Sequence, residues 1–480
     1  MSLTPLSRPV EPPSDRPRSE HDMLGCVEVP ADAYYGVHTV RAVANFPVTG
    51  ETLAARPHLI RALAAVKEAA TRANAEVGAL DDTLAAAIVD ACAEIRGGAL
   101  HDHFRVDLVQ GGAGTSTNMN ANEVIANRAL ELLGRRRGEY AVLHPLDHVN
   151  LGQSTNDVYP TAVKLALDAH VGAALTALAG LREAFAAKAA EFADVLKVGR
   201  TQLQDAVPMT LGQEFGAFAA TLAEDEQRLA EARLLLHELN LGGTAIGTGL
   251  NARPGYRERA VEHLRRLTGI PTLVSAPDLV EATQDVGVFV QLSGVLKRVA
   301  VKLSKICNDL RLLSSGPQAG FGEINLPARQ AGSSIMPGKV NPVIPEVVNQ
   351  IAFEIIGNDV TVTLAAEGGQ LQLNAFEPVI YRTLSAGLDH LAAGAGVLTE
   401  HCVRGITANA DRLAEAVAAS TGLVTALGPA LGHETACAVA LEAHRTGRPA
   451  LDLIRERELL TEAELRLLTS PASLTGLPSL

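Results

Sequence analysis

The sequence lacks tryptophan, and aromatic residues make up only 3% of its 480 residues. A core of the size that this length allows must therefore be built largely from Ala, Leu and Val. Their small or flexible side chains suit closely packed helices. The length is enough for two or three domains. Together these features predict a mainly α-helical protein.

Cysteine is also scarce, since the five residues are scattered, odd in number and never spaced as Cys-x-x-Cys. This pattern excludes a disulfide framework and a zinc site of the usual spacing, and it favours a reducing compartment. The N-terminal stretch lacks the apolar core of a secretory signal, and we find no apolar run of 18 residues. We therefore expect a cytoplasmic protein without a membrane span.

Basic residues are outnumbered by acidic ones, 41 to 54, which gives a formal net charge of −13. The one dense basic stretch is the short segment "GRRRGE". Nucleic acids and anionic membranes are bound through clustered Lys and Arg side chains. We therefore expect neither of them as a main partner.

Several stretches are dense in Ala and Leu and are far longer than an average helix of about 11–12 residues. They cover roughly 160–195, 209–239, 278–314 and 343–367. Helices of this length are difficult to bury within one compact subunit, so we expect bundling within the chain and between copies of it. The expected division is a disordered lead-in (1–19), a mixed, mostly helical domain (20–154), a central long-helix domain (155–408) and a small helical C-terminal domain (409–480).

The segment "AGSSIMPGKVNP", residues 331–342, has the glycines, serines and lysine of a phosphate-binding loop. The spacing does not fit, because Ser333 stands where the first Gly of a P-loop belongs and Val340 follows the lysine in place of Ser or Thr. Pro337 also removes a backbone N–H that a phosphate cradle would use. The glycines instead favour a mobile loop that carries chemistry.

The side chains of this loop suit a carboxylate substrate. Ser333 and Ser334 offer hydroxyl groups, Lys339 can neutralise a carboxylate, and Asn341 can donate a hydrogen bond to one. The alternative is an ordinary surface loop that caps the following helix.

Three further polar segments precede helices or follow a turn: 110–124, 150–160 and 198–208. Each could be only a capping segment, because hydroxyl and amide side chains are common at helix starts. Taken together, they offer many uncharged donors and almost no acids, which would suit a small dicarboxylate held by neutral hydrogen bonds and one lysine. The candidates in these segments are Thr115, Ser154, Thr155, Asn156, Thr201 and Gln202.

The stretch "GSSIMPGKVNP" resembles the signature loop of the aspartase/fumarase superfamily, and the resemblance extends from about Glu20 to about Leu465. Supporting stretches are "VPADAYYGVHTVRAVANFP", "GGAGTSTNMN" and "GNDVTVTLAAEGGQLQLNAFEPVI". The chain is more similar to the aspartase branch than to class II fumarases, which carry His at the position of Gln202 and usually Arg near Glu377. Gly152 and Leu146 depart from the usual aspartase pattern, where Ser and Asn are common.

The resemblance implies a fold and a reaction. The fold would be a three-domain subunit with a long central helical bundle, assembled as a homotetramer whose active sites each take segments from three subunits. The reaction would convert L-aspartate into fumarate and ammonia through an aci-carboxylate, without a covalent cofactor. An activating divalent cation such as Mg²⁺ is known for some members. Open alternatives are a fumarase, another lyase of the superfamily, or a non-catalytic protein that keeps the scaffold.

The resemblance also implies roles for the candidate residues. Ser333 would be the general base that takes a proton from the β-carbon. Thr115, Ser154, Thr155 and Ser334 would hold the β-carboxylate. The α-carboxylate would be held by Thr201, Lys339 and Asn341, and the amino group would face Asn156 and Gln202. Arg41 would assist the carboxylates, with a surface ion pair as the alternative interpretation.

Overall fold

The computed structural model describes residues 16–475, and α-helices dominate it. The helices are α1 (Val37–Asn45), α2 (Pro57–Glu76), α3 (Asp82–Arg96), α4 (Thr115–Leu132), α5 (Thr155–Glu191), α6 (Leu211–Leu235), α7 (Tyr256–Thr268), α8 (Leu279–Gln284), α9 (Gly287–Leu313), α10 (Val343–Glu367), α11 (Glu377–His401), α12 (Ala410–Ala419), α13 (Gly422–Leu431), α14 (His433–Thr446), α15 (Ala450–Glu456), α16 (Glu462–Leu468) and α17 (Pro471–Thr475). The expectation of a mainly α-helical protein is confirmed.

The strands are short and form four two-stranded sheets within the described range. The antiparallel pairs are β1 (Arg18–Asp22) with β2 (Gly25–Val29), β3 (Leu196–Thr201) with β4 (Gln204–Thr210), and β7 (Ile324–Asn325) with β8 (Thr407–Ala408). The pair β5 (Glu238–Leu239) and β6 (Val274–Ser275) is parallel. These short strands pair segments that lie before or between the helices, while the core is formed by the helices.

The chain divides into two compact units. Unit 1 comprises the described residues up to Ala173 together with Leu229–Leu296 and Gly357–Asp389, and unit 2 comprises Ala174–Arg228, Lys297–Ile356 and the described residues from His390 onward. Each of the five longest helices contributes residues to both units. The division into three domains that the sequence suggested is a different partition and remains a proposal.

The expected disordered lead-in, residues 1–19, lies mostly outside the described residues. The expectation of disorder is wrong for the last two of these residues, because Arg18 and Ser19 belong to β1. Arg18 is held there by its side chain, which donates to Glu20 at 2.7 Å and to the backbone carbonyl of Ala33 at 2.7 Å. These side-chain contacts order the strand, and they cannot be deduced from amino-acid composition.

The long helices begin and end close to where the sequence pattern places them, with one break. The stretch 278–314 was expected as one helix, whereas α8 ends at Gln284 and α9 begins at Gly287. Asp285 between them is extended, and its carboxylate accepts a hydrogen bond from the Gly287 N–H at 3.0 Å. A short acidic side chain that caps the next helix explains the break.

Neighbouring long helices are joined by buried polar pairs within each unit. In unit 1, the Asp168 carboxylate on α5 accepts hydrogen bonds from Nε and Nη2 of Arg233 on α6, at 2.6 and 2.8 Å. In unit 2, Asp225 on α6 is fully buried and lies 3.3 Å from Arg298 and 3.2 Å from Lys302, both on α9. Because a buried carboxylate without a partner is costly, these pairs fix which helices can be neighbours.

Unit 1 has an apolar core formed by α2, α3, α4 and α7. Leu59, Ile60, Leu63 and Val66 of α2 are fully buried. Glu68 on the same helix is also buried, and its carboxylate pairs with Arg72 at 2.7 Å and with Arg96 of α3 at 2.8 Å. The charge is thereby compensated inside the helix pair.

In unit 2, a separate core lies under the β3–β4 hairpin and the C-terminal helices. Val198 of β3 shares this core with Leu423 and Leu427 of α13 and with Val439 of α14. The start of α13 lies directly against β4, since a Cβ on Gly422 would meet the Ala206 carbonyl oxygen at 2.0 Å. The hairpin therefore rests on the C-terminal helices.

Among the described residues, helix α5 alone is long and apolar enough to cross a membrane by length and composition, and 61% of its most apolar window is buried inside the protein. The bent pair α12 and α13 passes the same test if it is counted as one span. The sequence of α5 has no uninterrupted apolar run of 18 residues, since Asp168 and Arg182 interrupt it. The burial of α5 is what a core helix requires.

Candidate active site

Thr115 is the first residue of α4, directly after a turn of unusual backbone geometry. Gly112, Ala113 and Gly114 have φ of +88°, +57° and +88°. Gly114 has no alternative, because a Cβ at this position would lie 2.5 Å from the ring of Tyr159. The turn leaves Thr115 exposed at the helix N-terminus, where the helix dipole favours an anion.

Ser154, Thr155 and Asn156 lie at the N-terminus of α5. The Asn156 N–H donates to Ser154 Oγ at 3.2 Å, and the Ser154 N–H donates to the Asp157 carboxylate at 2.9 Å. Asp157 is fully buried and also accepts hydrogen bonds from the N–H groups of Gly242 and Thr244, each at 3.0 Å. Burial nevertheless raises the pKa of Asp157 to about 6.

A proline inside α5 explains how Asn156 is held. Pro160 has no N–H to donate to the carbonyl of Asn156, so that helical hydrogen bond is missing. The buried side chain of Asn240 replaces it, since its Nδ2 donates to the Asn156 carbonyl at 2.9 Å. The Asn156 side chain in turn donates to the Ala245 carbonyl at 2.8 Å. Sequence analysis missed Asn240, which is distant along the chain.

The starts of α4 and α5 are joined by amide side chains. Asn118 Nδ2 donates to Thr155 Oγ1 at 3.1 Å and to Asn150 Oδ1 at 3.2 Å. Lys67 of α2 donates to Asn150 at 2.8 Å and to Gln153 at 2.9 Å. Lys67 is fully buried, and burial lowers its pKa to about 7. Asn118 and Asn150 lie in two of the polar segments but were not predicted as site residues. Lys67 was not found from the sequence, where a lone Lys in a helical stretch looks like a surface residue.

Thr201 and Gln202 lie at the tip of the β3–β4 hairpin in unit 2. Thr201 pairs with Gln204, and the two residues between them, Gln202 and Leu203, have φ of +54° and +63°. This two-residue turn usually requires Gly or Asn, so the backbone here is strained. Strain of this kind is often found where a side chain must be aimed at a ligand. Gln202 lines a cavity of about 300 Å³ together with Lys197, Arg200, Glu214 and Lys305.

Glu323 ties this hairpin to the segment that leads into the serine loop. Its carboxylate lies 2.7 Å from Lys197 Nζ and also pairs with the Arg200 guanidinium. Its backbone carbonyl accepts from the Asn409 N–H at 2.9 Å, and β7 begins at the next residue. Glu323 is only 4% exposed, so its charge depends on the two cations.

The serine loop extends from 326 to 342, is held near its start by Arg329 and is closed by hydrogen bonds within itself. Arg329 donates to the carbonyl groups of His401 and Glu400 at 2.8 and 3.1 Å, in the last turn of α11. Asn341 Nδ2 donates to the Gly332 carbonyl at 3.0 Å, and the Gly332 N–H donates to the Lys339 carbonyl at 2.7 Å. The Asn341 side chain thus closes the loop in this structure.

Ser333 has a distinctive environment within the loop. Its Oγ accepts hydrogen bonds from the backbone N–H groups of Ile335 at 3.1 Å and Met336 at 3.2 Å. Donors aimed at a hydroxyl oxygen stabilise its deprotonated form. Ser334 and Lys339 are exposed on the same loop. The loop therefore carries a candidate base and a positive charge, six residues apart in the sequence.

The structure does not gather all the candidates in one unit. Unit 1 holds Arg41, Thr115, Ser154, Thr155 and Asn156, and unit 2 holds Thr201, Gln202, Ser333, Ser334, Lys339 and Asn341.

Arg41 is engaged elsewhere in unit 1. Its guanidinium donates to both carboxylate oxygens of Asp22, at 2.9 and 3.0 Å, and this pairing lowers the pKa of Asp22. The geometry matches the ion pair that was the alternative interpretation.

Glu377, one of the two residues used to separate the branches, is the first residue of α11 and is 6% exposed. Burial raises the pKa of Glu377 to about 8, and the positive charge of Lys164 opposes that shift. The Glu377 side chain therefore lies in the helical interior of unit 1, and its neighbours there indicate no particular ligand.

A protein metal site needs several ligand side chains that converge on one point. Among residues 16–475, no group of three or more His, Cys, Asp or Glu side chains is placed to hold a metal ion. The described residues therefore offer no preformed cluster of three such ligands, and no chemical step is assigned to a metal.

Comparison with known proteins identifies the class. A family model described as a lyase matches residues 25–357, and a model of the fumarase C C-terminus matches residues 423–476. The first match spans more than half of the chain, and the chain belongs to this lyase family. An aspartate ammonia-lyase from Pseudomonas aeruginosa is 60% identical over 449 residues, which cover 93% of this chain and 94% of the relative.

Solved structures agree with this assignment. A fumarate lyase:delta crystallin from Brucella melitensis, bound to cobalt, is 54% identical with a TM-score of 0.93, covering 96% of this chain and 100% of that chain. A class II fumarase from Schistosoma mansoni is 36% identical with a TM-score of 0.89, covering 95% and 98%. The expected aspartase/fumarase-like fold is thereby confirmed.

The turn before Thr115 can be tested by adding one methyl group. In Gly114→Ala, the new Cβ must displace the Tyr159 ring, so we expect a loss of about 1–3 kcal/mol from overpacking beyond the cost of the left-handed backbone. Gly134→Ala is the matched control, because Gly134 has φ of +70° and no atom within 4 Å of its added Cβ. Scanning calorimetry should show the larger drop in Tm for Gly114→Ala. Equal drops would contradict the contact with Tyr159.

Proposed function

We propose that the protein is an aspartate ammonia-lyase, a carbon–nitrogen lyase that converts L-aspartate reversibly into fumarate and ammonia. The observation that carries the proposal is the 60% identity to an enzyme of that name over nearly the whole chain. The geometry around Ser333 agrees with it. The substrates and products are small molecules.

The chemical difficulty is the removal of a weakly acidic proton from the carbon next to the β-carboxylate. Loss of this proton produces an aci-carboxylate that carries an additional negative charge. Ser333 takes the proton, and the N–H groups of Ile335 and Met336 stabilise the alkoxide form that this role requires. The electron pair then expels the amino group as ammonia and forms the double bond of fumarate.

Uncharged donors suit the charge that develops in this reaction. We assign Thr115, Ser154, Thr155 and Ser334 to the β-carboxylate, where hydrogen bonds strengthen as the aci-carboxylate forms. The helix dipoles at the starts of α4 and α5 add to this effect. Buried amides hold Thr155 and Asn156 in place before substrate arrives, so little reorganisation is required during the reaction.

The remaining assignments concern the α-carboxylate and the amino group. Thr201, Lys339 and Asn341 hold the α-carboxylate, with Lys339 supplying the positive charge. Asn156 and Gln202 face the amino group. For Asn341 this role requires that its amide leave the Gly332 carbonyl when the loop closes. The Arg41 guanidinium already donates to both carboxylate oxygens of Asp22 and to the Gly25 carbonyl, so this role requires that it leave those partners.

We also propose a homotetramer whose sites are completed by neighbouring subunits, with the three-domain division 20–154, 155–408 and 409–480. Exposed apolar residues on α10 support the assembly. Val360 and Leu364, one turn apart, are 60% and 64% exposed, and Phe353 on the same helix is 60% exposed. An apolar stripe of this kind along a helix is typical of a helix that packs against another copy.

Other parts of the proposal are the setting and the cofactors. We place the enzyme in the cytoplasm, because all five cysteines are free thiols, as a reducing compartment requires. No covalent cofactor enters the mechanism. Any activation by Mg²⁺ would act from outside the reacting groups named here. Neither nucleic acid nor a membrane is a proposed partner.

The substrate assignment is tested by offering L-aspartate and L-malate separately to the purified protein and following fumarate by ultraviolet absorbance. We expect fumarate from L-aspartate alone, because Gln202 stands where fumarases carry His. Fumarate from L-malate alone would identify a fumarase and would overturn the proposal. Buffer without enzyme provides the baseline for each substrate.

The assembly is tested by placing charge on the exposed stripe of α10. The double variant Val360→Asp/Leu364→Asp should lower the mass in solution below that of four chains, because two carboxylates would be buried without partners in the interface. Leu441→Asp is the control, because Leu441 is an apolar residue that is 71% exposed on α14, outside this stripe. Multi-angle light scattering gives the mass. A double variant that keeps the wild-type mass would contradict this interface.

A further inference from the structure

A second cavity lies far along the sequence from the serine loop, between helices α13 and α14 of unit 2. It has a volume of about 310 Å³. Its lining consists of small or apolar side chains with one histidine and one cysteine: Val424, Thr425, Gly428, His433, Ala436, Cys437 and Ala440. No residue assigned to the lyase reaction lines it.

The two reactive side chains of this cavity are neighbours. His433 and Cys437 are one helical turn apart at the start of α14, and Cys437 Sγ lies 3.7 Å from His433 Nε2. Both residues are exposed. An imidazole nitrogen at hydrogen-bond distance from a thiol can accept its proton and leave the nucleophilic thiolate.

The other cysteines are not comparable. Cys92, Cys307 and Cys402 are buried, and burial raises the pKa of each thiol, which disfavours the thiolate. Cys26 is exposed on β2 and so provides an internal reference within the same molecule. Cys437 combines exposure, a neighbouring imidazole and a cavity.

We propose that Cys437 is a modification site that undergoes thiol–disulfide exchange with small disulfides bearing uncharged, apolar substituents. His433 Nε2 takes the thiol proton, and the Cys437 sulfur forms a bond to one sulfur of the disulfide. The original S–S bond breaks, and the departing thiolate takes the proton from the imidazolium. Cys437 is oxidised to a mixed disulfide, and the other half of the reagent is reduced to a thiol.

The cavity explains the preference for an apolar substituent. Val424 and Ala436 are 2% and 9% exposed and belong to the core that also contains Val198 of β3. The floor of the cavity is therefore fixed by packing. His433 is the single titratable neighbour of Cys437 in the lining, and no Lys or Arg is present there to attract an anionic substituent.

The test uses the full-length protein and the neutral aromatic disulfide 4,4′-dithiodipyridine, with peptide mapping by mass spectrometry at successive times. We expect Cys437 to be labelled several-fold faster than Cys26. His433→Asn should slow labelling of Cys437 by about tenfold, less than a fully buried general base contributes, and should leave Cys26 unchanged. Circular dichroism verifies that the variant is folded.

A second variant tests the cavity separately from the histidine. Ala440→Leu fills the space, so it should slow the reaction of Cys437 with the aromatic disulfide but not with the much smaller methyl methanethiosulfonate. Equal labelling of Cys437 and Cys26 in the wild type would overturn the proposal. So would a His433→Asn variant that reacts at the wild-type rate, or an Ala440→Leu variant that reacts unchanged with both reagents.

Discussion

Buried polar groups must have partners, and this requirement determines where the candidate site residues lie. Because Pro160 has no N–H, the Asn156 carbonyl lacks its helical hydrogen bond, and the Asn240 side-chain amide donates one instead. The buried carboxylate of Asp157 is satisfied by N–H groups of Gly242 and Thr244. Each of these bonds joins the start of α5 to the segment after β5. The geometry at Ser154, Thr155 and Asn156 is therefore a consequence of core pairing.

In unit 2 the buried polar group is a carboxylate, and its partners are cationic side chains. Glu323 is nearly inaccessible and is neutralised by Lys197 and Arg200, which belong to the hairpin that carries Thr201 and Gln202. The hairpin cannot move independently of the segment that leads into the serine loop. The loop itself is held near its start by Arg329 and is exposed at its centre, which is an arrangement that a closing segment can use. Precise donors on rigid elements and a base on a movable loop are consistent with the proposed elimination.

Much of this could be predicted from the sequence. The mainly helical fold and the extent of α10 followed from Ala- and Leu-rich periodicity, and the candidate donors followed from their places before helices. The break at Asp285 could not be predicted, because it depends on a local cap that competes with helix formation. A surface ion pair of Arg41 was left open as an alternative, but its partner, Asp22, was not predicted. The spatial neighbours of Asp285 and Arg41 cannot be deduced from their spacing in the sequence.

The supporting residues were missed for a single physical reason. Lys67 and Asn240 lie far along the chain from Thr155 and Asn156, and both are ordinary residues in helical or loop contexts. Their importance arises from burial, which makes each hydrogen bond obligatory. Burial of a polar side chain is decided by tertiary packing, so pattern analysis assigns such residues to the surface.

The central claim is that Ser333 removes the proton, and its replacement by alanine tests this most directly. Turnover of L-aspartate by Ser333→Ala should fall by at least about a hundredfold in kcat, the contribution expected of a positioned general base. The mass in solution and the Tm should remain those of the wild type, because the Ser333 hydroxyl bonds only to backbone groups of its own loop. A variant with nearly wild-type turnover, or one that loses assembly along with activity, would contradict the account.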